Sequence, residues 1–174
     1  MLKTLRKIAN IGIVTEPAPA PADELRVRDA LQVQIRAVLG RALCIRHIDA
    51  GSCNGCELEI HALNNVLYDL ERFGIRFVAS PRHADVLLVT GPVTHNMREA
   101  LERTYHATPH PKWVVAVGDC ARDGGVFAGS YACAGGVSTV VPVDLHIRGC
   151  PPSPTALLRG LLVLLECAER GATD

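Results

Sequence analysis

Apolar runs alternate with amphipathic stretches along most of this chain. Residues 85–91 and 112–118 are continuous apolar runs, which are typical of strands buried on both faces of a sheet. Shorter runs predict three more strands, at 41–49, 75–79 and 140–143. Apolar positions at helical spacing predict four helices, over 23–39, 56–72, 96–106 and from 154 to about 171. Because strands alternate with helices, the pattern predicts a flavodoxin-like α/β fold, a mostly parallel sheet flanked by helices.

The start of the chain follows a different pattern and predicts a helical N-terminal extension. Apolar residues recur at helical spacing with basic residues between them: Leu2, Leu5, Ile8 and Ile11. This is typical of a short basic helix lying on a partner or a membrane surface, although a frayed terminus fits equally well. Residues 16–21 alternate Pro and Ala and predict a semi-rigid linker. We therefore divide the chain into an extension, 1–40, and a compact domain, 41–174.

Composition excludes several classes of protein. A chain of 174 residues with 48% hydrophobic residues suits one domain with a core and excludes a disordered tail. Lys+Arg and Asp+Glu stand at 18 each, and this balance argues against a nucleic-acid-binding protein. No apolar run approaches the roughly 20 residues that span a bilayer.

The seven cysteines carry the candidate chemistry. The N-terminus shows no secretory signal, which indicates a cytosolic location where paired cysteines are metal ligands or redox groups rather than disulfides. Four of them lie in glycine-rich turns where predicted strands end: Cys53, Cys56, Cys120 and Cys150. Because the carboxyl ends of parallel strands meet at one edge of a sheet, we expect these four to lie at one site.

The spacing of the four cysteines leaves three kinds of site open. Cys53 and Cys56 form a C-x-x-C pair, and Cys120 and Cys150 follow it singly and far along the chain. Four thiolates complete the ligand set of a cubane iron–sulfur cluster, and structural zinc accepts the same donors. The pair at a predicted helix start also suits thioredoxin-like dithiol chemistry, which leaves Cys120 and Cys150 unexplained.

Five stretches resemble the small, cluster-bearing subunit of membrane-associated nickel–iron hydrogenases of the formate hydrogenlyase type. That family is related to the 20 kDa (B) subunit of respiratory complex I. The stretches are residues 49–60, 71–75, 80–91, 141–144 and 149–154. The resemblance implies one 4Fe–4S cluster held by Cys53, Cys56, Cys120 and Cys150. Complex I subunits carry adjacent cysteines at the first site, whereas Cys53-Asn-Gly-Cys56 has the hydrogenase spacing.

The resemblance also implies a place in a larger complex. We expect an electron-transfer subunit between a nickel–iron large subunit and a ferredoxin-like iron–sulfur subunit, held by membrane subunits on the cytoplasmic side of the inner membrane. No complete active site is expected in this chain. One alternative is a complex I-like NADH–quinone oxidoreductase subunit beside the corresponding large subunit of complex I. Another is a zinc-stabilised interaction module without a redox role.

Further residues have a functional and a structural interpretation. Glu57 suits the start of a helix, and the resemblance implies a role in proton movement toward the large subunit. Arg82 and His83 resemble a partner-facing loop that tunes the cluster, and His95 follows a strand end, but all three also suit an ordinary surface. The other three cysteines are expected to be a core residue, a neighbour of the ligands and a packed helix residue, respectively: Cys44, Cys133 and Cys167.

Overall fold

The computed structural model describes residues 23–171 together with Lys3, Arg6 and Ala9, which are helical and exposed. The rest of the helix predicted over 1–13 and the linker predicted at 16–21 lie outside the described residues. No helix in the described part of the chain is long and apolar enough to cross a membrane.

Five parallel strands form the central sheet and confirm the predicted α/β fold. The strands are β1 Leu43–Asp49, β2 Ile75–Phe77, β3 Val86–Thr90, β5 Trp113–Val117 and β7 Leu145–Ile147. Their order across the sheet is β2-β1-β3-β5-β7. All five residues of β3 are buried, as the continuous apolar run predicts for a central strand covered on both faces.

Helices cover both faces of the sheet. They are α1 Asp23–Leu39, α2 Gly55–Ala62, α3 His95–Ala107, α4 Asp119–Asp123 and α5 Pro154–Gly171. Val86 and Leu88 of β3 belong to a core shared with α1, α2 and α5. Leu87 and Val89 point to the other face, where they share a core with Leu101 of α3. Successive side chains of a strand therefore fill two separate cores, one on each face.

Shorter elements connect this framework. Two short strands, β4 Val93–Thr94 and β6 Cys133–Gly135, pair as a separate antiparallel sheet. Single 3₁₀ turns occupy Leu70–Phe73, Pro81–His83, Gly125–Phe127 and Val137–Thr139. The division of the chain at residue 41 stays a prediction, while α1 contributes Leu31 and Ile35 to the core.

Two predicted elements are wrong in extent or position. The helix predicted over 56–72 ends at Ala62, because the Asn65 side chain accepts hydrogen bonds from the N–H groups of Leu67 and Tyr68 and stabilises a turn. The strand predicted at 140–143 lies instead at 145–147. Pro142 has no N–H to donate to a neighbouring strand, which disfavours pairing before that point.

Aspartates close the edge of the sheet where the strands begin, which we call the amino edge. Asp85 donates its N–H to the Cys44 carbonyl and accepts the Cys44 N–H on its carboxylate, at 2.8 and 2.9 Å. Arg41 completes this cluster through an ion pair of 2.5 Å with Asp85. Asp144 makes the same reciprocal pair of bonds with Val114, at 2.9 and 2.7 Å. These carboxylates hold the strands in register where they begin.

Candidate metal centre

The strand register brings the cysteine loops to the opposite edge, which we call the carboxyl edge. Hydrogen-bonded pairing aligns the last residues of four neighbouring strands: Asp49, Thr90, Val117 and Ile147. Cys53 follows the first of these by four residues, while Cys120 and Cys150 follow the last two by three. The loops of β1, β5 and β7 therefore start level with one another.

A glycine allows the first loop to cross an intervening strand. Because β3 lies between β1 and β5, the Cys53 loop has to pass over the end of β3 to reach Cys120. Gly91 directly follows β3 and has a φ angle of +74°, and a Cβ built on it would lie 2.5 Å from the Ser52 nitrogen. Any side chain at this position would collide with the backbone of the crossing loop, so the crossing requires glycine here.

Asp49 fixes the start of the same loop. Its carboxylate accepts hydrogen bonds from the N–H groups of Gly51 and Ser52 at 2.8 and 2.7 Å. Burial acts to raise the pKa of Asp49, but these hydrogen bonds outweigh burial and hold it below its ordinary value. The ionised carboxylate thus orders the turn that leads into Cys53.

The second and third loops are bonded to each other. Gly118 donates its N–H to the Ile147 carbonyl at 2.8 Å, and Asp119 donates to the Gly149 carbonyl at 3.0 Å. A Cβ on Gly118 would lie 2.7 Å from Cys56 Sγ. The missing side chain therefore makes room for the thiol of α2 at the end of β5.

The four predicted cysteines line a single cavity of about 90 Å³. Six further residues complete its wall: Ser52, Gly55, Gly91, Asp119, Gly149 and Pro151. Cys120 is buried and Cys56 half-buried, whereas Cys53 and Cys150 are exposed. Among the described residues, no three His, Cys, Asp or Glu side chains converge as they would around a single metal ion. The exposed Cys53 and Cys150 mark the side of the cavity that faces solvent.

The electrostatics of the cavity test whether its residues fit a metal cluster. Burial first, and then the charges of Glu57 and the other three cysteines, together raise the pKa of Cys56 to about 12. Burial also raises the pKa of Cys120, with Cys150 and Cys53 adding to it. The wall contains no Lys, Arg or His to offset thiolate charge. Soft thiol donors without a neighbouring cation fit a group that brings its own positive charge, such as iron or zinc.

Glu57 directly follows Cys56 in α2. It is 6% exposed, and neither carboxylate oxygen has a hydrogen-bond partner within the described residues. One oxygen lies 3.7 Å from Nε2 of His47, which in turn is 3.0 Å from the Thr90 hydroxyl. Burial lowers the pKa of His47 although the Glu57 charge opposes this. A role of Glu57 in proton movement stays a prediction.

The contact between Glu57 and His47 was not predicted. Both residues line a second cavity, of about 230 Å³, on the other side of α2 from the cysteines. His47 lies within β1 and belongs to no recognisable motif. Its contact with Glu57 results from the packing of α2 on β1, which the sequence alone does not reveal.

The structure does not bring the other polar candidates to the cysteines. Arg82 and His83 are exposed and precede β3, so they lie at the amino edge, opposite the predicted cluster. This position favours the alternative of an ordinary surface, and a tuning of the cluster by either residue stays a prediction. His95 is the exposed first residue of α3, and it does not line the cysteine cavity.

The three remaining cysteines lie outside the cavity wall. Cys44 is half-buried at the amino edge rather than in the core, with its sulfur 3.8 Å from the Ala42 carbonyl. Cys133 is half-buried in β6. Cys167 is exposed on α5, so the prediction that it packs is wrong. It follows the last buried positions of that helix, Leu164 and Leu165, and lies next to the exposed Glu166.

Exposed apolar side chains follow two of the cysteines. Most of the large apolar residues that the structure leaves exposed lie in two segments, and these residues are Leu58, Val66, Leu67, Val126, Phe127 and Tyr131. The first segment follows Cys56 and the second follows Cys120. Leu58, Val66 and Leu67 were predicted to belong to the apolar face of the helix over 56–72, and their exposure shows that this is wrong.

The comparisons with known proteins give a consistent result. Residues 53–164 match the family described as NADH ubiquinone oxidoreductase, 20 Kd subunit. The probable membrane-bound hydrogenase subunit mbhJ of Pyrococcus furiosus is 46% identical over 133 residues, which are 76% of this chain and 80% of that protein. Formate hydrogenlyase subunit 7 of Escherichia coli is 42% identical over 154 residues, 88% of this chain but 60% of its own length.

A solved structure agrees with the fold. A chain of the membrane-bound sulfane sulfur reductase, an archaeal respiratory membrane complex, superposes with a TM-score of 0.68 and 35% sequence identity. The match covers 83% of this chain and 78% of that one. The fold is therefore shared over most of the chain.

Proposed function

The chain belongs to the 20 kDa subunit family of NADH ubiquinone oxidoreductase, and from this we propose that it is the electron-transfer subunit of a membrane-bound hydrogenase complex of the formate hydrogenlyase type. The observation that carries the proposal is the cavity at the carboxyl edge, whose wall contains Cys53, Cys56, Cys120 and Cys150. These four thiolates would hold one 4Fe–4S cluster. Such a cluster supplies a site that accepts and releases one electron at a time.

The chain's own residues would hold and shield this group. The buried Cys120 and half-buried Cys56 lie toward the sheet, where neighbouring strands exclude water. The exposed Cys53 and Cys150 lie at the open side, so electrons would have a short path to a partner placed there. Gly118 leaves room for the Cys56 sulfur, and Gly91 lets the Cys53 loop cross the end of β3.

The surroundings of the cavity support protein partners. The two exposed apolar segments after Cys56 and Cys120 offer surface that a partner would bury. We propose a nickel–iron-type large subunit against this side, a ferredoxin-like iron–sulfur subunit and membrane subunits that hold the complex at the cytoplasmic side of the inner membrane. No nucleic acid takes part.

The first test concerns the cluster. The full chain is reconstituted without oxygen with iron and sulfide, then assayed for iron, zinc and the electron paramagnetic resonance of the reduced state. We expect about four iron atoms per chain, as a 4Fe–4S cluster requires. Cys120→Ala should lose the signal, and Cys167→Ala, which removes an exposed thiol outside the cavity, should keep it. A chain that takes up zinc and no iron would refute the proposal.

The second test concerns the branch of the family. The complex I-like alternative predicts a quinone-sensitive NADH oxidoreductase, whereas the relatives named as hydrogenase and formate hydrogenlyase subunits favour hydrogen chemistry. The affinity-tagged complex is isolated from its native membranes and assayed for nickel and for hydrogen-dependent dye reduction. Nickel with hydrogen activity supports the hydrogenase branch. Quinone-sensitive NADH oxidation, or reduction of sulfane sulfur without nickel, assigns the chain to another complex.

A further inference from the structure

Asp119 connects two of the cysteine loops. Its N–H donates to the Gly149 carbonyl at 3.0 Å, and its carboxylate accepts the Gly149 N–H at 3.3 Å. Asp119 directly precedes Cys120, and Gly149 directly precedes Cys150. A reciprocal pair of hydrogen bonds therefore joins the two residues next to two candidate ligands.

The same reciprocal pair occurs at the other end of the same two strands. Asp144 and Val114 exchange bonds of 2.9 and 2.7 Å where β5 and β7 begin. Asp144 is remote from the cysteines, because the strands between the two aspartates extend over about 15 Å. The two aspartates have matching backbone contacts and differ in their distance from the cavity.

The loop that carries Cys150 follows a short strand. Its strand, β7, is at the edge of the sheet, has three residues and pairs with β5 alone. The Cys150 side chain is exposed, so packing contributes little to its position. The bonds from Asp119 extend the pairing beyond the strand, up to the residue before the cysteine.

Asp119 also adds charge to the cavity. Its side chain lines a wall that contains four cysteines and no basic residue. Because Asp119 directly precedes Cys120, its carboxylate is close to a candidate ligand. A negative charge beside a cluster opposes the arrival of an electron, so it lowers the reduction potential.

We propose that Asp119 is a positioning residue that fixes the Cys120 and Cys150 loops relative to each other and lowers the reduction potential of the cluster they hold. The inference rests on the proposed function, because it requires the cluster. It assigns two separable effects to one carboxylate: the hydrogen bond to Gly149 retains the cluster, and the charge sets the potential.

Two substitutions separate these effects, and a third serves as a control. Asp119→Asn keeps an oxygen that accepts the Gly149 N–H and removes the charge, so the iron content should stay and the midpoint potential should become more positive. Asp119→Ala removes both, so the potential should rise and the iron–sulfur absorbance should disappear about 10-fold faster in the presence of a chelator. Asp144→Ala should reduce thermal stability and change neither quantity.

The measurements use the reconstituted full chain and distinguish each failure. A wild-type chain that binds no cluster refutes the proposed function and, with it, this inference. If the wild type binds a cluster, the inference is overturned when Asp119→Asn leaves the potential unchanged or when Asp119→Ala loses iron no faster than Asp144→Ala. If the alanine variant does not fold, the potential of Asp119→Asn alone decides, because that variant keeps the acceptor.

Discussion

Aspartates bind backbone N–H groups at both edges of the central sheet, but only the carboxyl edge also has a buried carboxylate without a hydrogen bond within the described residues. At the amino edge, the Asp85 carboxylate is satisfied by the Arg41 guanidinium and the Cys44 N–H, and Asp144 is satisfied by Val114. At the carboxyl edge, Glu57 is buried without a hydrogen bond and Cys56 has a pKa raised to about 12. Asp85 and Asp144 at the amino edge thus have partners within the described part of the chain, whereas Glu57 at the carboxyl edge lacks a partner that a cluster or another subunit would supply.

The glycines at the two edges differ in the same way. Gly40 and Gly74, at the amino edge, have positive φ angles and nothing within 4 Å of a Cβ built on them. Gly91 and Gly118, at the carboxyl edge, have positive φ angles and would collide with Ser52 and Cys56. The first pair serves only to turn the chain, while the second pair also leaves space that the cysteine loops fill.

The largest loss of iron is expected when a side chain fills the space beside Gly91. Gly91→Ala places a Cβ against the backbone of the crossing loop, so the loop should shift and the reconstituted protein should lose most of its iron. Gly74→Ala strains a similar left-handed turn without a collision and should cost about 1–2 kcal/mol of unfolding free energy with full iron content. Iron analysis and urea unfolding of both variants measure the difference. Full iron content in Gly91→Ala would show that the crossing does not depend on glycine.

A smaller effect is expected at the amino edge. Asp85→Ala leaves the Cys44 N–H and Arg41 without their shared acceptor, so the free energy of unfolding should fall by about 1–3 kcal/mol. Because the change is at the edge opposite the cysteines, iron content and midpoint potential should stay as in the wild type. Urea unfolding and redox titration measure the two quantities.

The control for this change is an exposed ion pair on α3. Glu102 pairs with Arg98 one helical turn away, and Glu102→Ala should cost no more than about 0.5 kcal/mol. If Asp85→Ala also loses iron, the two edges are coupled and their separation into a structural and a functional edge is wrong.

The parts of the fold that were predictable have strong local signals. The buried strands β3 and β5 appear as continuous apolar runs because both faces of a central parallel strand are covered. The start of α5 was predictable from Ser153 and Pro154, and the Ser153 hydroxyl does accept the Ala156 N–H. The four cysteines stood out because each lies in a glycine-rich turn after a predicted strand or segment.

The parts that were missed depend on contacts between distant segments. The early end of α2 results from side-chain hydrogen bonds of Asn65, a residue that is equally compatible with an exposed helix position. β7 has three residues, too few for a period of two to be visible. The contact of Asp119 with Gly149 depends on the register of β5 against β7, and the contact of His47 with Glu57 depends on the packing of α2 on β1. The sequence pattern alone determines neither.

The smallest effect concerns the pH dependence of stability at the carboxyl edge. Burial holds the pKa of His47 below its ordinary value, so near pH 6 the unfolded chain binds more protons than the folded one. The free energy of unfolding should therefore fall as the pH drops below about 6.5, and His47→Gln should reduce this fall. His146→Gln, which changes an exposed histidine on β7, should leave it unchanged. Urea unfolding at several pH values checks both variants. A wild-type chain that becomes more stable on acidification would mean that protonated His47 forms an ion pair with Glu57. The Glu57 carboxylate would then be satisfied within the chain, and this difference between the two edges would disappear.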